Sequence, residues 1–199
     1  HGLIDKDRIL RKGGMMPGDR LILTKALGTG TLFAADMQQK AKGRWIQDAL
    51  KSMLLSNRVA ASLVYEHGAT ACTDITGFGL LGHLVEMIRP SEVDVDIHMD
   101  RLPILDGAEE TVEMGILSSL QPANIRLRRA IRNREDAVQS NRFPLMFDPQ
   151  TSGGLLASVP AAQADTCVEA LHAAGFMAAA VVGEVKPESE HLESVMVLN

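Results

Sequence analysis

The sequence predicts an α+β fold in which a mixed β-sheet is layered with α-helices. Three observations lead to this prediction. Short apolar runs of strand length are interleaved with longer segments whose apolar residues recur at helical spacing. Gly and Pro separate many of these segments. The 199 residues, 46% of them hydrophobic, are enough to bury the core of one domain.

Six segments are predicted to be strands. The first follows the turn Pro17-Gly18-Asp19 and is largely apolar, which indicates burial. The segment at 93–97 alternates valine or isoleucine with aspartate, which predicts a strand with one solvated face. A short run of small residues ends at Asp74. The predicted strands are residues 20–24, 69–73, 93–97, 155–159, 178–185 and 194–198.

Helices are predicted where apolar residues recur three and four positions apart. From Trp45 to about His67 this spacing continues, so the sequence predicts one long amphipathic helix there. Residues 117–141 are polar with weak periodicity and are predicted to be a partly helical, exposed excursion. The other predicted helices are one starting at 31–35, 80–88 stopped by Pro90, 108–114 ended by Gly115, and 161–174 between Pro160 and Gly175.

Composition and charge argue against several classes of function. The formal net charge is -5, and the one basic run lacks stacking aromatic residues, so nucleic-acid binding is not predicted. No apolar run approaches the roughly 18 to 20 residues of a membrane span, and no signal peptide is visible. Cys72 and Cys167 lie far apart without a CxxC pair, which favours free thiols in a reducing cytoplasm.

The start of the sequence indicates a piece of a longer protein. The first residue is His1 rather than methionine, and Gly2, Leu3 and Ile4 resemble the end of a strand already under way. We therefore expect residues 1–199 to form one domain of a larger polypeptide.

Asp74 is the first candidate for chemistry, because it stands where a predicted strand gives way to a glycine turn and a helix. Ligands often bind at such strand ends. The carboxylate would supply a hard oxygen ligand for Mg²⁺. Gly77 and Gly79 would let backbone N–H groups approach an anion. The alternative is that Asp74 caps the next helix and the glycines allow close packing, and the residues alone leave both open.

A second segment, residues 147–154, combines two hydroxyl side chains with two glycines. Such a segment can form a small anion-binding nest, or it is a turn that feeds the strand at 155–159.

The loop Gly28-Thr29-Gly30 is different. Residue 33 is Phe where a dinucleotide fingerprint needs glycine, and the chain has no GxxxxGK[ST] sequence. A tight turn is predicted there, without nucleotide binding.

The remaining polar residues give weaker signals. Asn57 lies on the apolar face of the predicted long helix and needs a partner, either a neighbouring backbone group or the site. His83 is interpreted as a hydrogen-bonded core residue. The arginine-rich run at 126–134 is interpreted as a solvated helix face or a subunit contact. Methionines predicted to fill the core are Met53, Met87, Met99 and Met146.

At these motifs the sequence resembles the C-terminal half of the selenophosphate synthetases (selenide, water dikinases), from about Gly2 to the end. Two long runs carry the resemblance, TDITGFGLLGHL at 73–84 and DPQTSGGLL at 148–156. Residues 21–30 and 53–58 match as well. Shorter pieces such as TGFGL recur in the superfamily of aminoimidazole ribonucleotide synthetase and the hydrogenase-maturation protein, so alone they would indicate only that superfamily.

The resemblance implies a fold similar to the C-terminal domain of aminoimidazole ribonucleotide synthetase. It implies a two-domain enzyme that forms selenophosphate, AMP and phosphate from ATP, selenide and water. The reactive Cys or selenocysteine, the essential Lys and most Mg²⁺ ligands would belong to an N-terminal ATP-binding domain outside these residues. Asp74 matches the metal ligand of the C-terminal domain, and Asn57, Thr76 and Thr151 match positions near the nucleotide cleft.

The implied partners are the N-terminal domain, a second copy in a homodimer of the whole enzyme, and the substrates ATP and selenide. We expect the chain alone to be inactive, since no catalytic residue of the family falls within it. One alternative is a related enzyme acting on a ribonucleotide or a carbamoyl-bearing thiol, against which the run at 148–156 argues. The other is a non-catalytic module that associates with the rest of its polypeptide.

Overall fold

The computed structural model describes residues 9–198, so the predicted strand end at residues 2–4 lies outside it. Within this range six strands form one sheet in the order β2-β4-β1-β5-β3-β6. Neighbouring strands are antiparallel except β3 and β6, which are parallel. The strands are β1 (Arg20–Leu23), β2 (Ala71–Asp74), β3 (Val93–His98), β4 (Leu155–Val159), β5 (Ala180–Pro187) and β6 (Val195–Leu198). The predicted α+β fold with a mixed sheet is confirmed.

Helices cover both faces of the sheet. They are α1 (Thr29–Met37), α2 (Gly43–Leu54), α3 (Asn57–Glu66), α4 (Gly79–Ser91), α5 (Ala108–Glu113), α6 (Gln121–Asn124), α7 (Arg134–Ala137) and α8 (Ala161–Ala173). Turns of 3-10 helix occupy Met99–Arg101, Ile125–Ala130 and Phe143–Phe147. In the described part of the chain, no helix has the length and apolar content that crossing a membrane would require.

After Arg20, strand β1 is apolar from Leu21 to Leu23 because these residues are buried on both faces of the sheet. Leu21 and Leu23 belong to the larger hydrophobic core, which contains the buried face of α4. Ile22 points to the opposite face and joins the core formed with α3 and α8. Successive side chains of a strand alternate between faces, so a continuous apolar run indicates a strand between two packed layers.

The predicted single helix from Trp45 to about His67 is wrong, because two helices occupy this segment. The first, α2, ends at Leu54, and α3 begins at Asn57. Ser56 between them adopts an extended conformation, and its side chain accepts a hydrogen bond from the Arg58 backbone N–H. This serine caps α3, a role that the apolar spacing on either side does not reveal.

The predicted stop at Pro90 is also wrong, since α4 continues to Ser91. The Ser91 hydroxyl donates to the Met87 carbonyl at 2.7 Å and accepts from the backbone N–H groups of Gly14 and Met15. These bonds hold the last turn despite the N–H that proline lacks. The helix ends at Glu92, whose φ of 54° is left-handed.

Two segments predicted to be solvated are partly buried. Asp94 on β3 is only 7% exposed, and its carboxylate accepts from Arg132 at 2.8 Å. Asp96 is half-buried. The excursion at 117–141 contains α6, a 3-10 turn and α7, as expected, but also buried residues such as Ile131 and Ala137. Arg132 connects the two segments, since its ion pair with Asp94 ties this excursion to β3.

The start of α4 offers a matched pair of glycines for a stability test. Gly79 has φ +70°, and a Cβ there would lie 2.8 Å from the backbone of Phe147. A Cβ on Gly77 would meet nothing within 4 Å. We expect Gly79→Ala to lower the free energy of unfolding by about 2 to 4 kcal/mol, from strain and displacement. Gly77→Ala should change it by less than about 0.5 kcal/mol. Urea unfolding measures both, and equal losses would contradict the packing at Gly79.

Candidate functional site

The candidate site lies at one edge of the sheet, where three strand ends meet. Asp74 at the end of β2 pairs with Leu155 at the start of β4. On the other side of β4, Thr24 follows β1; its N–H donates to the Leu155 carbonyl at 3.0 Å, and its hydroxyl accepts from the Leu155 N–H at 2.8 Å. Residues that follow β1, follow β2 and precede β4 are therefore neighbours.

Asp74 is exposed, and its carboxylate has no hydrogen bond or ion pair within residues 9–198. The capping alternative is wrong, because α4 begins five residues later at Gly79, its N-cap residue is Phe78, and no side chain caps it. A free carboxylate at a strand end fits one oxygen ligand of a hard cation. However, the described residues contain no group of three His, Cys, Asp or Glu that could hold a metal ion. Further ligands would have to come from elsewhere.

The other three predicted site residues all border the loop at 150–154. The Asn57 amide Nδ2 donates to the Gly153 carbonyl at 2.8 Å, while its Oδ1 is buried without a partner. The Thr76 carbonyl accepts from the Gln150 N–H at 3.0 Å. Thr151 is exposed within the loop itself. The tertiary structure thus gathers residues from α3, the β2–α4 turn and the β4 entry around one loop.

The Thr76 hydroxyl is held by a chain of polar contacts. It lies 3.0 Å from His83 Nε2, and His83 Nδ1 lies 3.1 Å from a Glu86 carboxylate oxygen. That same oxygen accepts from the Lys12 ammonium at 2.6 Å, and this hydrogen bond lowers the pKa of Glu86. His83 is 4% exposed, so its interpretation as a hydrogen-bonded core residue is confirmed. Its contact limits the orientations available to the Thr76 hydroxyl.

The glycine loop before α1 is a tight turn whose amides are already bonded. The Gln150 Oε1 accepts from the N–H groups of Gly28 and Thr29 and from the Thr29 hydroxyl, at 3.1 to 3.2 Å. Asp148 Oδ2 accepts from the Gly30 N–H at 3.0 Å. Free amides at a helix start attract phosphate. Here the chain's own side chains bind these amides, which explains physically why this loop is not a phosphate cradle.

Close packing accounts for the paired glycines ahead of β4. A Cβ on Gly153 would lie 2.3 Å from the Ile75 carbonyl oxygen, and one on Gly154 would lie 2.6 Å from the backbone nitrogen of Lys25. The segment is therefore a turn that feeds a buried strand, as one of the two interpretations proposed. Anion binding by Thr151 and Ser152 stays a prediction.

The sequence analysis gave no role to three residues of this region, Lys25, Asp148 and Gln150, although the last two lie in the segment 147–154 that it singled out. Lys25 is 3% exposed and donates to the Ser152 carbonyl at 3.0 Å. Asp148 is fully buried and Gln150 is 5% exposed. In the sequence, these residues are recognisable only as charged or amide side chains near an apolar strand. Their hydrogen-bond partners lie more than a hundred positions away in the chain.

An apolar groove of about 330 Å³ adjoins the site. It reaches from Thr151 past Met53 on α2 to Phe33 and Met37 on α1. Met53 lines this groove and is half-buried, so its prediction as core filler is wrong. The same prediction is confirmed for Met87, Met99 and Met146, each at most 1% exposed.

Neither cysteine has the properties of a nucleophile. Burial raises the pKa of the Cys72 thiol to about 12, with a smaller contribution from the charge of Asp74. Burial also raises the pKa of Cys167 to about 11. A thiol reacts as its thiolate, so both would be inert near neutral pH. Both are unpaired, as the sequence analysis expected.

Comparisons with known proteins agree with this arrangement. The family profile described as AIR synthase related protein, C-terminal domain, matches residues 16–193. The selenide, water dikinase of Geobacter metallireducens is 40% identical over 198 residues, which cover 96% of this chain and 55% of that protein. The selenide, water dikinase of Pelobacter propionicus is 41% identical over 196 residues, which cover 98% of this chain and 56% of that protein. The chain therefore spans about half the length of the curated relatives it matches.

A solved structure shows the same fold. The hydrogenase maturation protein HypE in complex with ATP superimposes with a TM-score of 0.68, at 21% sequence identity. The match covers 98% of this chain and 52% of the HypE chain. At that identity the likeness concerns the fold alone.

The buried carboxyl of Asp148 gives a pH-dependent prediction. Burial raises its pKa to about 7, against hydrogen bonds from Gln150, Gly30 and Thr31 that lower it. The unfolded chain ionises this carboxyl near pH ~4. Between about pH 4 and 7 the folded state therefore binds more protons, so the carboxyl's stabilising contribution is complete at pH ~4 and is lost as pH rises to about 7. As pH rises over that interval, the free energy of unfolding of Asp148→Asn should increase by up to about 4 kcal/mol relative to that of wild type.

Urea unfolding of both proteins at several pH values measures this difference. A constant offset reflects the altered hydrogen bonds, so only the change with pH tests the prediction. Asp165→Asn, at an exposed position on α8, serves as the control and should show no such change. A wild-type to Asp148→Asn difference that stays level from about pH 4 to 7 would contradict the raised pKa.

Proposed function

The chain belongs to the AIR synthase related proteins, as their C-terminal domain, and from this premise we propose that it is the C-terminal part of a selenide, water dikinase. The reaction proposed for the whole enzyme converts ATP, selenide and water into selenophosphate, AMP and phosphate. The observation that carries the proposal is the free Asp74 carboxylate at a strand edge bordered by Asn57, Thr76 and Thr151. The identities of 40% and 41% to proteins of that name support the choice of reaction.

In this proposal Asp74 is one oxygen ligand of Mg²⁺ beside the phosphates of ATP. Bound there, Mg²⁺ would neutralise charge on phosphate oxygens, the main requirement of phosphoryl transfer. Asn57 holds the Gly153 carbonyl and so fixes the loop that borders the carboxylate. The exposed Thr151 hydroxyl would donate to a phosphate oxygen. The Thr76 hydroxyl, which contacts His83 Nε2, would line the same edge.

The proposal requires a second domain for the chemistry itself. Asp74 is a single carboxylate, and residues 9–198 offer no three-residue metal group around it. Both thiols are buried, so the group that handles selenium would have to come from the N-terminal half. A metal shared between two domains would form its full ligand set only when the domains meet, which ties activity to domain closure.

The proposed partners follow from the same premise. The N-terminal domain would cover the groove beside Thr151, whose neighbourhood exposes 82% of Met37 and 57% of Leu120. A homodimer of the complete enzyme and a cytoplasmic location belong to the proposal too. Two unpaired thiols are consistent with a reducing compartment.

A related enzyme of the same superfamily is the second candidate. The fold shared with the ATP complex of HypE favours it. However, that match has 21% sequence identity, against 40% for the selenide, water dikinase of Geobacter metallireducens. The dikinase assignment is therefore preferred.

The chain by itself is expected to release no AMP from ATP and selenide, because residues 9–198 offer no group of ligands to complete a metal site around Asp74. The measurement is AMP and orthophosphate formation by the purified chain with Mg²⁺, ATP and selenide. Selenide-dependent AMP release by the chain alone would show that the catalytic groups lie within it and would overturn the division between two domains.

In the two-domain protein that the proposal requires, Asp74→Asn is expected to lower the rate at least about 100-fold. The loss should be partly reversed by raising Mg²⁺, because the amide is a weaker ligand than the carboxylate. Asp165→Asn removes an exposed carboxylate on α8 and should leave the rate unchanged. Full activity of Asp74→Asn at low Mg²⁺ would exclude Asp74 as a metal ligand.

A further inference from the structure

Lys25 places a buried ammonium at the same strand edge. The residue is 3% exposed and follows directly on Thr24. Its Nζ donates one hydrogen bond, to the Ser152 carbonyl at 3.0 Å. Within residues 9–198 no ion pair joins it to a carboxylate. Because an ammonium has three N–H donors, two of them have no acceptor in this part of the chain.

The chain packs closely around the start of this side chain. A Cβ on Gly154 would lie 2.6 Å from the Lys25 backbone nitrogen and 2.9 Å from the Lys25 Cβ, so the glycine leaves room for the backbone and first carbon of the lysine. A buried cation without a counter-charge is costly, and desolvation lowers the pKa of Lys25 accordingly. A nearby anion would remove that cost.

Asp74 and Lys25 flank β4 from opposite sides. The order β2-β4-β1 puts the ends of β2 and β1 two strand spacings apart, which is about 10 Å. Between them runs the loop with the exposed Thr151 and Ser152, and Ser152 has a left-handed φ of 49°. A phosphoryl group has the size and charge to lie between a cation bound at Asp74 and the Lys25 ammonium.

We propose that Lys25 binds a phosphoryl oxygen at this edge, with the Ser152 carbonyl orienting the ammonium and its two free donors directed to the anion. The site takes a small oxyanion, either a phosphate group of a nucleotide or free phosphate. The proposal rests on the proposed function only for the identity of the molecule that carries the phosphate. It adds a lysine of this chain to the one that the family resemblance assigns to the N-terminal domain.

A purely structural role for Lys25 makes a different prediction. If the side chain only holds the Ser152 carbonyl, a neutral donor of similar length would replace it, and phosphate would have no effect at this position. Anion binding instead requires the positive charge. Lys25→Gln keeps an N–H donor and removes the charge, whereas Lys25→Arg keeps the charge with a different shape. Lys40→Gln removes the same charge from an exposed position and is the matched control.

The test is an NMR titration of the chain labelled with ¹³C at lysine Cε. Inorganic phosphate is added at constant ionic strength against chloride, and the Lys25 signal is identified by its absence in Lys25→Gln. We expect phosphate, and not chloride, to shift this signal to saturation. Phosphate affinity should fall at least about tenfold in Lys25→Gln. It should change by less than about threefold in Lys25→Arg and Lys40→Gln.

Equal phosphate affinity in wild type and Lys25→Gln would overturn the proposal, as would equal shifts with chloride. Circular dichroism checks that Lys25→Gln is folded; if it is not, the wild-type titration and Lys25→Arg still decide. Repeating the titration with ATP identifies the phosphate carrier, and a saturable Lys25 shift with either ligand supports the site.

Asp74→Asn separates this inference from the proposed function. A phosphate response at Lys25 that persists when Asp74→Asn has no effect on Mg²⁺-dependent turnover supports the anion site and removes the metal role. A lost response at Lys25 with a large Asp74→Asn effect on turnover removes the anion site alone.

Discussion

The antiparallel pairing of β4 between β1 and β2 is the constraint on which the candidate site depends. Because β1 and β2 both run toward this edge and β4 starts there, three separate chain segments are forced together. Leu155 bonds to Thr24 on one side and pairs with Asp74 on the other. Both faces of β4 are buried, with Leu156 in the core beside α4 and Leu155, Ala157 and Val159 in the core beside α3 and α8. Shifting the register of β4 by one residue would exchange these two sets, so the packing of both cores maintains this arrangement.

The second constraint is the set of hydrogen bonds by which side chains of this chain bind the N–H groups at the start of α1. Asp148 and Gln150 accept the first N–H groups of α1, and the Gln150 amide also donates to Asp148. These bonds connect the β1–α1 turn to the segment before β4. They fix the buried side of the loop, while Thr151 and Ser152 on its other side stay exposed to solvent. A rigid loop with exposed hydroxyl groups is suited to positioning a ligand.

The edge is electrostatically incomplete in the described chain. It presents a carboxylate without a cation and a buried ammonium without an anion, separated by one strand. A buried charge without a partner is costly, and the proposed metal and phosphate would supply the missing partners of these two groups. A half-length chain with half of an ionic site is consistent with a domain that functions by contact with another.

The sequence by itself determined the layered α+β fold, all six strands to within two residues at each end, and Asp74 with Asn57, Thr76 and Thr151 as residues worth testing. Local signals sufficed for the strands and for Asp74 because apolar runs and strand-end residues are contiguous in the chain, whereas Asn57, Thr76 and Thr151 were indicated as cleft residues by the family resemblance. The sequence did not predict the helix break at Ser56 or the continuation of α4 past Pro90. Capping by Ser56 depends on local geometry, and the bonds of Ser91 depend on distant backbone groups. The roles of Lys25, Asp148 and Gln150 were decided only by tertiary structure, because burial and hydrogen bonding are properties of pairs far apart in sequence.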